Sequence, residues 1–229
     1  MAKKLTKEEL EQDALLNTYA KITEFYLEHK TVIISSAVAV ILAIGLAIGY
    51  HYWKKGQNKE ALNLITDAQT YFREGNYEAA LNGSKEDFTV GFAQIINKYG
   101  GTKAGDLARY YAAVSSFKLG NTDQALDYMD DYDPPSGILG VPPISFHGTL
   151  QMAAGNYEKA ANLFIRAAEW NMNESTTPLN YLEAARAYKA AGNIDAAKEY
   201  TQKVLDKYPD SNLTDEAEKL MGLLKAESE

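Results

Sequence analysis

The sequence predicts an all-α protein, a solenoid of helical hairpins behind one N-terminal membrane-spanning helix. Three observations predict it. Residues 31–50 run for twenty positions without a charge. A Gly-Asn step recurs at Gly75, Gly120, Gly155 and Gly192. Apolar residues on either side of each step recur at helical spacing. A hydrophobic share of 46% is enough for a packed core and excludes a disordered chain.

Residues 1–30 read as an amphipathic lead-in helix. Thr6 and Glu9 have the spacing of a capping box, and Leu10, Leu15, Tyr19, Ile22 and Tyr26 follow at helical intervals. Residues 31–53 are the transmembrane anchor: twenty helical residues rise about 30 Å, the thickness of a bilayer core. The run ends in Tyr50, Tyr52 and Trp53, then Lys54 and Lys55, the rings and cations expected at a membrane–water boundary. A cleaved signal peptide has a short basic start, whereas a mildly acidic stretch of about thirty residues precedes this run, so the anchor is expected to stay uncleaved. Lys21 and Lys30 on one side and Lys54, Lys55 and Lys59 on the other leave orientation undecided by charge. Gly45 and Gly49 form a GxxxG step beside an Ala39, Ala43, Ala47 stripe, a surface on which another transmembrane helix can pack closely.

Residues 54–229 form the repeat domain, with about four hairpins and a C-terminal capping helix. The step glycines are 45, 35 and 37 residues apart. Each suits the left-handed position that ends a helix, and the acidic residue after it favours the positive end of the next. The unit resembles the tetratricopeptide repeat, in which small residues stand where paired helices touch. Tyr181, Ala185, Tyr188, Ala197 and Pro209 hold that family's signature places in the last unit, as do Gly148, Ala160, Phe164 and Ala167 in the third. Ala113, Ala125 and Met129 fit the second. The first departs after Ala80, where residues 82–90 read as an insertion before a further helix over 92–99. Leu213, Ala217, Leu220 and Leu224, with charges between them, read as the polar cap a solenoid end requires.

In that register the first helix of each pair lines an inner groove, the expected partner-binding site. Its residues are Ile65 and Phe72, then Leu107, Tyr110, Val114 and Phe117, then Ser145, Thr149 and Met152, and finally Leu182, Arg186 and Lys189. The early part is apolar and the late part basic.

Nothing in the sequence points to catalysis, a metal or a cofactor. There is no cysteine, and His29, His51 and His147 lack ligand spacing. Asp127, Asp130, Asp131 and Asp133 lack the EF-hand pattern and read as a solvated helix end running into Pro134 and Pro135. With 18 basic and 25 acidic residues after the span, the soluble part disfavours nucleic acid as a partner.

The order of parts, the exit GYHYWKKGQ over residues 49–57 and the stretch GTKAGDLARYYAA over 101–113 resemble the YfgM-like family, the ancillary tetratricopeptide subunit of the bacterial SecYEG translocon. That resemblance implies a single-pass protein of the bacterial inner membrane, with a cytoplasmic N-terminus and a periplasmic repeat domain. It implies protein partners: translocon subunits, exported clients or periplasmic chaperones. The alternatives are a cytoplasm-facing adaptor, which Lys54 and Lys55 would favour, and a scaffold of an envelope assembly complex.

Overall fold

The computed structural model describes the backbone of residues 7–227 and the side chains of residues 16–227. Thr6 and the side chains of Glu9, Leu10 and Leu15, expected at the start of the lead-in helix, lie outside the described residues. The chain divides into two compact units at Gly56.

The described part of the first unit is helical throughout. Helix α1, Lys7–Arg73, is a single element of 67 residues, so the expected lead-in helix, span and first repeat helix are continuous. No proline interrupts it, and Gly45, Gly49 and Gly56 each weaken a helix by only about 1 kcal/mol without ending it. The helix is long and apolar enough to cross a membrane. Apolar side chains such as Val32, Ile41 and Leu46 are exposed along it. Near the end of the apolar run the rings of Tyr50 and Trp53 lie 5.9 Å apart. Lys54 Nζ is 5.9 Å from the Tyr50 ring centroid.

The second unit begins within α1 and continues through α2 Tyr77–Asn82, α3 Phe92–Tyr99, α4 Lys103–Lys118 and α5 Thr122–Asp130. A short 3-10 turn, Ile138–Gly140, leads into α6 Val141–Ala153, α7 Tyr157–Trp170, α8 Thr176–Ala190, α9 Ile194–Lys207 and α10 Thr214–Ala226. From α4 onward each helix packs on the next in chain order, the stacking of a helical repeat.

All four Gly-Asn steps adopt one geometry. Each glycine has φ between +77° and +86°. Its N–H donates to the carbonyl three residues back at 3.0–3.1 Å, and the asparagine N–H donates five residues back at 2.9 Å. This pair of bonds closes the helix in a Schellman motif and satisfies carbonyls that would otherwise be orphaned. The same step starts the following helix: Asn76 Oδ1 accepts from the Ala79 N–H at 3.2 Å and Asn193 Oδ1 from the Ala196 N–H at 3.1 Å.

Alanine and glycine mark the helix crossings. Ala113, Ala125, Ala160, Ala185 and Ala197 are fully buried. A Cβ on Gly148 in α6 would lie 2.9 Å from the Phe164 ring in α7, so only glycine lets those helices meet at this separation. Links beyond the crossings bind the first hairpin to the second and the third to the fourth. Asn58 Oδ1 accepts from the Ala104 N–H at the start of α4, at 2.9 Å. Thr177 Oγ1 of α8 donates to the Ala168 carbonyl of α7, at 3.1 Å. Ala217, Leu220 and Leu224 of α10 complete the last core cluster, with Glu216, Glu218 and Lys219 exposed between them.

The first hairpin is broken where the sequence departs from the repeat. Its second helix is only α2, six residues long, and Gly83 ends it with φ +88°. The chain then turns out and back through an isolated antiparallel bridge between Ser84 and Thr89. It resumes as α3, whose Phe92, Ile95 and Tyr99 join Ala61, Ile65 and Ala68 of α1 in one core.

Candidate protein-binding face

A run of aromatic rings crosses three successive first helices. Phe72 on α1 meets Tyr111 on α4 edge-on, with centroids 5.0 Å apart, and Phe92 on α3 stacks on the same Tyr111 at 5.3 Å. Tyr110 is next to Tyr111 in sequence and 5.8 Å away ring to ring. Phe146 on α6 then touches both Tyr110 and Phe117 of α4, each at 5.9 Å. Phe72, Tyr110, Tyr111, Phe117 and Phe146 are half-buried, so each ring is held by neighbours and still presents part of its surface to solvent. Edge-to-face pairs at these distances hold the rings in place beyond the effect of burial. Burial, with Tyr111 alongside, pushes the Tyr110 phenol above its ordinary range, so the hydroxyl stays protonated and uncharged.

Beside this run lies a cavity of about 300 Å³ between α4 and the segment after α5, lined by Lys103, Asp106, Leu107 and Tyr132 together with residues 133–136. Tyr132 packs on Tyr110, with centroids 6.2 Å apart. Its phenol is pushed up to about 12, first by burial and then by the negative charge of Asp106.

The groove residues expected from the sequence divide into three groups. Phe72, Leu107, Tyr110, Val114 and Phe117 are half-buried on α1 and α4, and Met152 is half-buried on α6 against the Ala160 and Phe164 cluster. Ile65 and Leu182, at 2% and 0% exposure, are core residues and offer a partner no surface. Each is enclosed by neighbouring helices: Ile65 in the core that α1 shares with α3 and α4, and Leu182 in the core that joins α8 to α9 and α10. Arg186 and Lys189 reach the surface, but neither is a free cation. Arg186 is bridged by Glu183 and Glu216. Lys189 pairs with Glu227 at 2.7 Å. The late part of the face is therefore neutralised rather than basic.

Phe146 and Tyr111 were missed from the sequence. Phe146 follows Pro142 and Pro143 in a helix where Ser145 and Thr149 hold the family's inner-face positions. Only the observed rotation of α6 turns Phe146 toward α4. Gly45 and Gly49 stand open, with nothing within 4 Å of the place a Cβ would take.

Of the acidic cluster, Asp130 faces His147 at 3.3 Å. Among the described residues no group of three or more His, Asp or Glu is placed to hold a metal ion.

A protein-family model described as tetratricopeptide repeat matches residues 107–132 and 180–211. Over those two stretches the chain is similar to tetratricopeptide repeats. The matched stretches cover most of α4 with α5, and most of α8 with α9. The hairpin between them, α6 with α7, has the same Schellman turn. Among solved structures, the chain is similar to a Podosopora anserina protein described as a kinesin light chain with nearly identical TPR-like repeats. The TM-score is 0.53 at 13% identity, over 74% of this chain and 94% of that one. At that identity the likeness is one of fold. No curated protein matches the sequence. Repeats of this kind commonly present protein-interaction surfaces.

Proposed function

We propose that this chain is a membrane-anchored protein-binding module of the translocon-associated kind, which holds segments of exported proteins, or the chaperones that carry them, against its aromatic row. The observation that carries the reading is the row itself: half-buried rings of Phe72, Tyr111, Tyr110, Phe146 and Phe117 on consecutive first helices. Rings with exposed faces bind apolar side chains without demanding one sequence, which suits a site that meets many clients. Such binding is modest and reversible, because ordering an extended segment offsets much of the contact energy. The α1 span is the membrane anchor, and the resemblance at residues 49–57 and 101–113 supports a cytoplasmic N-terminus, a periplasmic repeat domain and a place beside SecYEG.

Two experiments test this. In spheroplasts of a Gram-negative host, added protease is expected to remove the repeat domain while a cytoplasmic marker stays intact; protection until lysis would place the repeats in the cytoplasm and end the translocon reading. With Phe72, Tyr110 and Phe117 changed together to Ser, cross-linking to secretory clients is expected to fall while the protein stays in the membrane. Unchanged cross-linking would rule out the row as the client site. Lys54 and Lys55, just after the span, favour a second reading, a cytoplasm-facing adaptor that recruits soluble partners. Protection in the first experiment is its expected signature.

A further inference from the structure

The excursion that breaks the first hairpin displays an aromatic side chain. Phe88 is 91% exposed. At φ +56° it is also the one non-glycine residue with positive φ among the described residues. Both features oppose folding: the ring leaves apolar surface in water, and a bulky L-residue is disfavoured in the left-handed region. Glycine at this position would relieve both.

The segment that carries Phe88 is nevertheless held firmly. Ser84 and Thr89 exchange both backbone hydrogen bonds at 3.0 Å. The Tyr71 hydroxyl of α1 donates to the Asp87 carboxylate. Gln94 Nε2 donates to the Asn82 carbonyl at 3.0 Å. At the base, Gly83 and Gly91 approach so closely that a Cβ on Gly91 would lie 2.3 Å from the Gly83 nitrogen. A strained, exposed aromatic on a braced turn has its ordering cost met before any partner arrives, the condition for a binding anchor.

We propose that Phe88 is the anchor of a second protein-binding site, inserting into an apolar pocket with a basic rim on a folded partner. Charge selects the partner. Glu86 and Asp87 are exposed beside the ring, against one cation, Lys85. Residues 57–229 carry 16 basic and 25 acidic side chains. The same carboxylates are repelled by an anionic lipid surface. They are also repelled by a second copy of this chain, whose repeat domain carries the same acidic excess. The site stands whether or not the aromatic row binds clients.

The test uses the full-length protein in its membrane, with the photo-reactive p-benzoylphenylalanine placed at position 88. The expected result is one dominant protein adduct, whose cross-linked peptide maps by mass spectrometry to an apolar pocket bordered by Lys or Arg. A second variant carries the photo-reactive residue at position 85 together with Phe88→Gly. Its adduct with the same protein is expected to drop at least tenfold, while the thermal midpoint of Phe88→Gly alone is unchanged or rises by a few degrees. Lipid adducts, self-dimers, no adduct, or adducts scattered over many proteins would overturn the proposal. So would a position-85 adduct that survives Phe88→Gly. A fall in the midpoint would give Phe88 a structural role and overturn it equally.

Discussion

The ring of Phe146 on α6 stands edge-on to that of Tyr110 on α4, with centroids 5.9 Å apart and planes at 87°. Phe117 of α4 meets Phe146 at the same separation, so one side chain joins two consecutive hairpins. Phe146→Ala is expected to cost about 2 kcal/mol, below the figure for a fully buried Phe because this ring is half-exposed. Urea unfolding checks it; a loss under about 0.5 kcal/mol would mean the ring bridges nothing.

Gly148→Ala tests the closest helix crossing. The added methyl would meet the Phe164 ring at 2.9 Å, and the α6–α7 pair must open to admit it. The expected loss is about 1 to 3 kcal/mol by thermal unfolding, partly recovered when Phe164→Leu is added. An additive double variant would argue against this contact as the cause.

Gly155 and Gly222 separate backbone strain from crowding, since neither has anything within 4 Å of an added Cβ. Gly155 has φ +77° at a helix end, so Gly155→Ala is expected to destabilise by about 1 to 2 kcal/mol. Gly222 lies inside α10, where Gly222→Ala should stabilise by about 0.5 to 1 kcal/mol. Opposite signs in circular-dichroism melts are the expected outcome, and equal signs would refute the turn geometry.

His147 supplies a pH dependence. Burial holds its imidazole below the ordinary 6.5, outweighing the Asp130 carboxylate that acts the other way. The unfolded chain therefore takes up this proton more readily than the folded one. The stabilisation is complete above the unfolded pKa and is lost as pH falls through the lower folded value. His147→Gln is expected to flatten the decline in thermal midpoint between about pH 7 and pH 5. An unchanged slope would assign the decline to other groups.

Much of the fold was legible before any coordinates. The Gly-Asn steps are local signals: a residue tolerant of positive φ followed by a side chain that can cap the next helix specifies a turn wherever it occurs. The same holds for the uncharged run over residues 31–50 and for the small residues at helix crossings. The candidate face was legible only in part. Phe72, Tyr110 and Phe117 emerge half-exposed, but Ile65 and Leu182 fall into the core, although Ile65 and Phe72, like Leu182 and Lys189, are seven residues apart and share a helix face. The difference is how far neighbouring helices cover each level of that face, which sequence spacing does not resolve.

By itself the sequence determined the helices, their turns, the long apolar segment and the repeat architecture, because each depends on interactions within a few residues along the chain. Only the tertiary structure decided the rest. It set the rotation of α6 that brings Phe146 to Tyr110, the acidic partners that neutralise Arg186 and Lys189, and the braced turn that holds Phe88 in water. Apart from the Glu183–Arg186 pair and the Ser84–Thr89 bridge, these contacts join residues distant in the chain, and their geometry follows from how whole helices settle against one another, which no local pattern encodes.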